Sequence, residues 1–182
     1  MDNPFRAPES DFDPDQVELD AAAPPFPYHR VSLKKLIVFS LLTFNLYHFY
    51  WFYKQWQAQK RAYNELIWPI PRAIFLNIFS YFIFRRIELS ALSEEMHLSW
   101  TSGWVFLVYF LWGLAGYLPD PLGYIVFLGV LPLIPVQESI NQLFKKTAPN
   151  RTDDDHFTTL NWVFLAVLII LWVLAFTALF SQ

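Results

Sequence analysis

From Phe157 to Gln182 the chain runs 26 residues without an Asp, Glu, Lys or Arg, and Trp162 to Phe180 is almost wholly apolar. At about 1.5 Å per residue, roughly twenty helical residues cross a hydrocarbon core about 30 Å thick, so this stretch is long enough to span a bilayer. Two further apolar runs precede it, about Ser99 to Leu118 and Leu122 to Gln137, joined by Pro119-Asp120-Pro121 as a tight hairpin. Pro132 and Pro135 interrupt the second of these and predict a kink or a stop there. Beyond Pro135, apolar Val136, Ile140, Leu143 and Phe144 share one helical face, the pattern of a short helix at headgroup level.

The N-terminal half is less decisive. Leu36 to Tyr53 holds eighteen residues without formal charge, flanked by Lys34-Lys35 and Lys54, just enough to span. Ala73 to Phe84 is only twelve residues between Arg72 and Arg85-Arg86, with Pro69 and Pro71 upstream. Twelve helical residues reach about 18 Å, so this piece is expected to be interfacial, re-entrant, or a span that draws Arg72 inward. The fold class is therefore an all-α polytopic membrane protein. Three transmembrane helices are expected at 99–118, 122–137 and 157–180, with segments 36–53 and 66–86 either re-entrant, interfacial or spanning.

Composition strengthens this picture. Hydrophobic residues make up 55% and aromatics 20% of the chain, with nineteen Phe, nine Tyr and eight Trp; that is more than the core of a soluble domain of 182 residues requires. The absence of cysteine excludes disulfides, thiolate metal sites and a Cys nucleophile.

Charge divides the chain in two. Residues 1–29 carry seven acids against Arg6 alone, a net −6, and six prolines; the remainder carries nine acids and twelve bases. A segment so acidic and so poor in large apolar residues cannot offset its ordering entropy, so residues 1–30 are expected to form a disordered cytoplasmic tail and 31–182 a helical membrane domain. The tail lacks the basic start, apolar middle and cleavage site of a signal peptide.

Basic residues near short loops stay on the cytoplasmic side. Five spans would split the thirteen bases nine to four; if the first two segments dip in and return, all thirteen fall on one side. The charge pattern favours the second arrangement, with the N-terminus cytoplasmic and Gln182 periplasmic.

The most distinctive local run is Thr43-Phe44-Asn45-Leu46-Tyr47-His48-Phe49-Tyr50-Trp51-Phe52-Tyr53-Lys54. Thr43 and Asn45 sit within an apolar stretch, where an unsatisfied polar group is costly, so a turn or an interhelical bond is expected to satisfy them. Tyr47, Tyr50, Trp51 and Tyr53 read as an interfacial aromatic belt with Lys54 reaching water. Preceded by Val31-Ser32-Leu33-Lys34-Lys35-Leu36, this run resembles a bacterial integral-membrane family catalogued as domain of unknown function 4234. That family's mark is a T-F-G-x-Y-x-x-Y-W-x-Y-K run after a V-S-x-x-K-L start. About 25 residues carry the resemblance, and Asn45 replaces the usual Gly. Asn tolerates a left-handed backbone, so the replacement is compatible with a turn. The resemblance implies a small polytopic protein of the bacterial inner membrane, and no activity.

Candidate chemistry is sparse. His29, His48, His97 and His156 have no ligand spacing, and His48 among aromatics reads as an interfacial ring. Asp153-Asp154-Asp155-His156 and Glu94-Glu95 with His97 and Ser99 read as solvated helix boundaries. No phosphate loop or nucleophile elbow is present. The sequon Asn150-Arg151-Thr152 falls in an expected cytoplasmic loop. Intramembrane polar residues are amides, notably Asn77, Gln137, Asn141 and Asn161, which more often hold helices together than bind substrate. Gly113 and Gly116 allow close helix approach.

No catalytic, cofactor-binding or metal-binding residue is assigned. The expected partners are the bilayer itself, with anionic lipid on the basic cytoplasmic face, and a second copy or another membrane protein; nucleic acid is not among them. The expected function is non-enzymatic: interaction, scaffolding or membrane organisation. A subunit of an oligomeric transporter or channel is the alternative, resting on the helix breaks at Asn45, Pro132 and Pro135.

Overall fold

A computed structural model describes residues 26–119 and 122–149, together with Ala166 and Thr177, which are helical and exposed. The expected last span, 157–180, and its Asn161 otherwise lie outside the described residues, as do residues 1–25.

Helix α1 (Leu33–Leu42) opens on Ser32, whose Oγ accepts the Lys35 N–H at 3.4 Å. It ends where Phe44 and Asn45 take left-handed φ values of 49° and 65°. Thr43 ties the two sides of this turn together. Its hydroxyl donates to Phe39 O at 2.6 Å and accepts the Tyr47 N–H at 2.9 Å, so it closes α1 and starts α2 (Tyr47–Tyr63).

The chain reverses at this turn. Phe39 stacks on Tyr47, the His29 backbone bonds with Gln55, and Pro27 O accepts from Gln59. Segment 36–53 is therefore a hairpin and not a single straight helix. Residues Tyr47, His48, Trp51, Phe52, Gln55, Trp56 and Gln59 form the buried face of α2, at helical spacing of three and four. Asn64, with φ 49°, ends the helix in a left-handed cap, and Lys60 and Arg61 in the last turn complement its dipole.

The second segment reverses as well. Pro69 at the first helical position starts α3 (Pro69–Ile74), which runs back along α2, so that Pro69 and Ile70 share a surface depression with Tyr53 and Lys60. Phe75, with ψ 40°, breaks the helix. From there α4 (Leu76–Ser93) runs the other way: Leu76 and Asn77 lie beside His48, Phe84 packs on Phe52, and Arg86 reaches Gln59. Arg72 is half-buried, and the expected possibility of a single span drawing it inward does not apply to a segment broken at Phe75. Its guanidinium lies 4.5 Å from the Trp56 ring centre and 5.6 Å from that of Phe79, which shelters the charge between two aromatic faces.

Helix α5 (Ser102–Leu114) is capped by Thr101 and continues as a 3-10 turn to Tyr117. The expected span 99–118 thus shrinks to Ser102–Tyr117, 16 residues or about 24 Å, because Ser99 to Thr101 are used as entry and cap. A 3-10 stretch (Leu122–Leu128) leads through a turn into α6 (Leu133–Thr147). Leu122–Thr147 is the one helical run among the described residues that is long and apolar enough to cross a membrane. It replaces the expected 122–137.

The expected interruption falls at Pro132: the 3-10 stretch stops at Leu128, a turn covers 129–132, and α6 begins after it. Pro132 is the N-cap of α6 and Pro135 lies in its first turn, where a missing N–H has no intrahelical partner to lose. The apolar face beyond them packs against the other helices. Val136 and Ile140 are fully buried and Leu143 nearly so, packed with Leu36, Trp51 and Ile83 in one core.

Charge is segregated along this bundle. All described Asp, Glu, Lys and Arg fall in 30–35, 54–72, 85–95 and 138–146, and much of this set gathers at one end. There Arg86 forks onto Glu65 at 2.9 Å, Lys146 bonds Glu94, and Arg30 covers the Phe144 ring. The opposite end carries the 43–46 turn, the break at Phe75 and the stretch 112–129, without a charged residue among the described ones. Large apolar side chains are exposed around it, among them Ile78, Leu111, Ile125 and Leu128.

Candidate functional site, a pocket at the uncharged end

The 43–54 run supplies most of the candidate residues, and the fold sorts them into three groups. Tyr47 and Trp51 do not form an interfacial belt. Tyr47 is buried against Phe39, and Trp51 is fully buried, because both fall on the inward face of α2. Tyr50 is exposed and Tyr53 half-buried; Lys54 lies 5.6 Å from the Tyr50 ring centre, and Gln57 donates to Tyr53 OH at 3.1 Å. These three lie toward the surface of the bundle.

The second group is a polar thread through the core. Trp51 Nε1 donates to Gln137 Oε1 at 2.7 Å, Gln137 Nε2 to Asn141 Oδ1 at 2.9 Å, and Asn141 Nδ2 to Val31 O at 3.0 Å. Gln137 and Asn141, expected as helix-holding amides, have that role: they bind α2, α6 and the chain entering α1. Each bond contributes about 1 kcal/mol net, and an abandoned partner would cost roughly 1–3.

The third group lines a half-open pocket of about 150 Å³ formed by Asn45, His48, Asn77, Tyr109, Gly113 and Gly129, with Phe44, Leu46, Phe49, Leu76, Trp112 and Val126 completing it. Asn45 spans the pocket wall, its Nδ2 donating to Val126 O at 2.7 Å across 81 residues of sequence. Gly129 makes room for that amide, since a Cβ there would stand 3.2 Å from Asn45 Nδ2. Gly113 serves Asn77 in the same way at 3.3 Å, so its close approach is between α5 and α4; Gly116 has only ordinary contacts. His48 is 4% exposed and its Nδ1 meets Tyr109 OH at 3.1 Å.

Sequence reasoning placed His48 at a membrane interface and passed over Tyr109. Their pairing joins residues 61 apart, so no local pattern announces it. The spacing of Asn45 and His48 by three on one side of the turn was the available clue. No described Asp, Glu, Lys or Arg lines the pocket, whose titratable groups are His48 and Tyr109.

Titratable groups at the charged end serve packing. Burial pushes the Tyr28 hydroxyl up to about 12, partly offset by its bond to Ser90. Burial, reinforced by Lys54 and Lys35, pulls His29 down to about 4. Burial raises the Glu88 carboxyl, yet the hydrogen bonds from Ser102 and Arg85 outweigh it and the net shift is downward.

Comparison with protein-family models, curated proteins and solved structures finds no match to this chain.

Proposed function

We propose that this chain is a small bacterial inner-membrane protein that acts without catalysis, as a membrane-organising scaffold holding its charged end at the cytoplasmic surface. The observation that carries the reading is the pair of hairpins, turning at 43–46 and at Phe75, whose arms return to the end where the charged residues gather. A chain folded this way sets its uncharged turns into the hydrocarbon, leaves its apolar exposed side chains to lipid, and keeps every base on one face. Lys60, Arg61 and Asn64, which line a depression with Tyr53, then meet the headgroups, where each base adds about 1 kcal/mol of attraction to anionic lipid. The run Leu122–Thr147 supplies a crossing segment. The likeness of residues 31–54 to the family named above points to the same compartment.

The chain has no cysteine, so single-cysteine variants report topology directly. Cysteines at Lys60, Glu95 and Lys146 are expected to react from the cytoplasmic side alone, and one at Gln182 from the periplasmic side. Periplasmic labelling at Lys60 would overturn the two-hairpin topology.

A further inference from the structure

Lys60, Arg61 and Asn64 line an open depression of about 460 Å³ together with Pro69 and Ile70. That volume lies within the roughly 300–1,000 Å³ of small-ligand sites. The local fold brings these residues together: Lys60 and Arg61 occupy the last turn of α2, and the left-handed Asn64 turns the chain so that α3 starts alongside.

The two bases are not neutralised. Lys60, Arg61 and Asn64 are exposed, and their side chains make no hydrogen bond, ion pair or ring contact with the described residues. No acid lines the depression, and the acid next in sequence, Glu65, is committed to Arg86 through two bonds of 2.9 Å. Other bases of the bundle do have partners: Arg85 pairs with Glu88, Lys146 with Glu94, and Lys54 and Arg72 lie against aromatic rings. Tyr53 and Gln57, which also line the depression, bond each other. Two adjacent bases without an acid leave a local positive potential that an anion relieves.

Their number selects the anion. A phosphomonoester carries about −1.5 to −2 charges at neutral pH and presents three terminal oxygens, so it balances both bases and offers an acceptor to each of the ammonium, the guanidinium and the Asn64 amide. A phosphodiester, with a single charge and two such oxygens, leaves one of the three unmatched. The neighbouring side chains select a lipid over a free phosphate. Leu66 is 99% and Trp68 74% exposed, between Asn64 and Pro69 in sequence, and Ile70 on the lining is exposed as well. Apolar and Trp side chains set this far out beside bases are the pattern of a segment that enters a bilayer interface.

We infer that the depression formed by Lys60, Arg61 and Asn64 binds the phosphomonoester head of a lipid whose acyl chains leave over Leu66, Trp68 and Ile70. The inference rests on the membrane-surface reading above and deepens it, replacing a general attraction of bases for anionic lipid with one head held at one place.

The test uses the full chain in micelles of a neutral detergent, where orientation plays no part, so it fails separately from the cysteine labelling. Native mass spectrometry counts the lipids bound as dioleoyl phosphatidic acid, phosphatidylglycerol or phosphatidylcholine is titrated in at neutral pH. Phosphatidic acid is expected to saturate at one tightly held copy, with phosphatidylglycerol roughly fivefold weaker, as the loss of one charge contact requires. Lys60→Gln combined with Arg61→Gln is expected to weaken phosphatidic acid roughly 25-fold, about fivefold per base. Lys34→Gln combined with Lys145→Gln removes the same charge from two exposed bases that likewise lack a described partner, and at physiological salt is expected to change binding by less than about twofold. The comparison among lipids needs no variant, so a folding defect in either double variant leaves it intact. Equal affinity for phosphatidic acid and phosphatidylglycerol, equal losses in the two double variants, lipid adducts that never saturate at one copy, or displacement of the lipid by an equal concentration of glycerol 3-phosphate would each overturn the proposal.

Discussion

Asn45 concentrates the local physics of this chain. Its φ of 65° lies where most residues are strained and Gly is not, and its amide reaches Val126 O. Asn45→Gly keeps the turn and loses the bond, so a loss of about 1 kcal/mol is expected in thermal unfolding of the detergent-solubilised protein. Asn45→Val also forces a β-branched residue into left-handed geometry and is expected to cost roughly 2–4 kcal/mol. Equal effects from the two would mean that the backbone conformation is not the constraint.

His29 makes a pH prediction at the same scale. Its folded-state value of about 4 lies below the ordinary 6.5, so the folded chain favours the neutral ring. The stability it allows is complete above about pH 6.5 and is lost progressively as the pH falls toward 4. Melts at pH 7.5, 5.5 and 4.5 are expected to show that decline in the parent chain and a shallower one in His29→Gln. An unchanged slope in that variant would assign the decline to other groups.

At the scale of elements, Pro135 separates the sequence reading from the structure. Pro135 is poor for a helix interior but neutral in a first turn, and its position relative to Pro132 decides which applies. Pro135→Ala is therefore expected to change stability by less than about 0.5 kcal/mol, whereas Ile140→Pro, in the buried middle of the helix, is expected to cost roughly 3 kcal/mol or more. A large loss on Pro135→Ala would restore the idea of a functional kink. The Thr43 to Leu46 turn was legible in advance, because two polar residues in an apolar run must find partners locally. The break at Phe75 was not. Ile74-Phe75-Leu76 has no glycine, proline or polar signal, and only the packing of α3 and α4 on α2 imposes it.

For the whole molecule, the segment before α1 acts as a strap. Tyr28 donates to Arg86 O and meets Ser90 Oγ at 2.6 Å; Gln55, Gln59 and Asn141 hold the backbone of His29, Pro27 and Val31. The expectation that the tail runs free to residue 30 fails at its last five residues, since Phe26 and Tyr28 bring aromatic surface to the core. Deleting residues 1–25 removes none of these contacts and is expected to destabilise the solubilised protein less than deletion of 1–31 does. Deleting 1–31 strands Gln55, Gln59 and Asn141 and is expected to cost several kcal/mol, at roughly 1 per lost hydrogen bond plus the burial of Tyr28 and Val31. A deletion of 1–25 that destabilises as much as that of 1–31 would remove the strap from this account.

The sequence by itself determined the helical class and the gathering of bases into a few short stretches, favoured a turn at Asn45 over a straight span, and marked Gln137 and Asn141 as helix-holding amides. Those follow from periodicity, charge and the cost of an unpaired amide, all of which act over a few residues. Only the tertiary structure decided that Trp51 and Tyr47 face inward, that Pro132 and Pro135 begin a helix, that α3 and α4 form a second hairpin, and that Asn45, His48 and Tyr109 share one pocket. Those depend on contacts between residues up to 110 apart, and the free energy that selects them is earned by burial between helices, which no local pattern encodes.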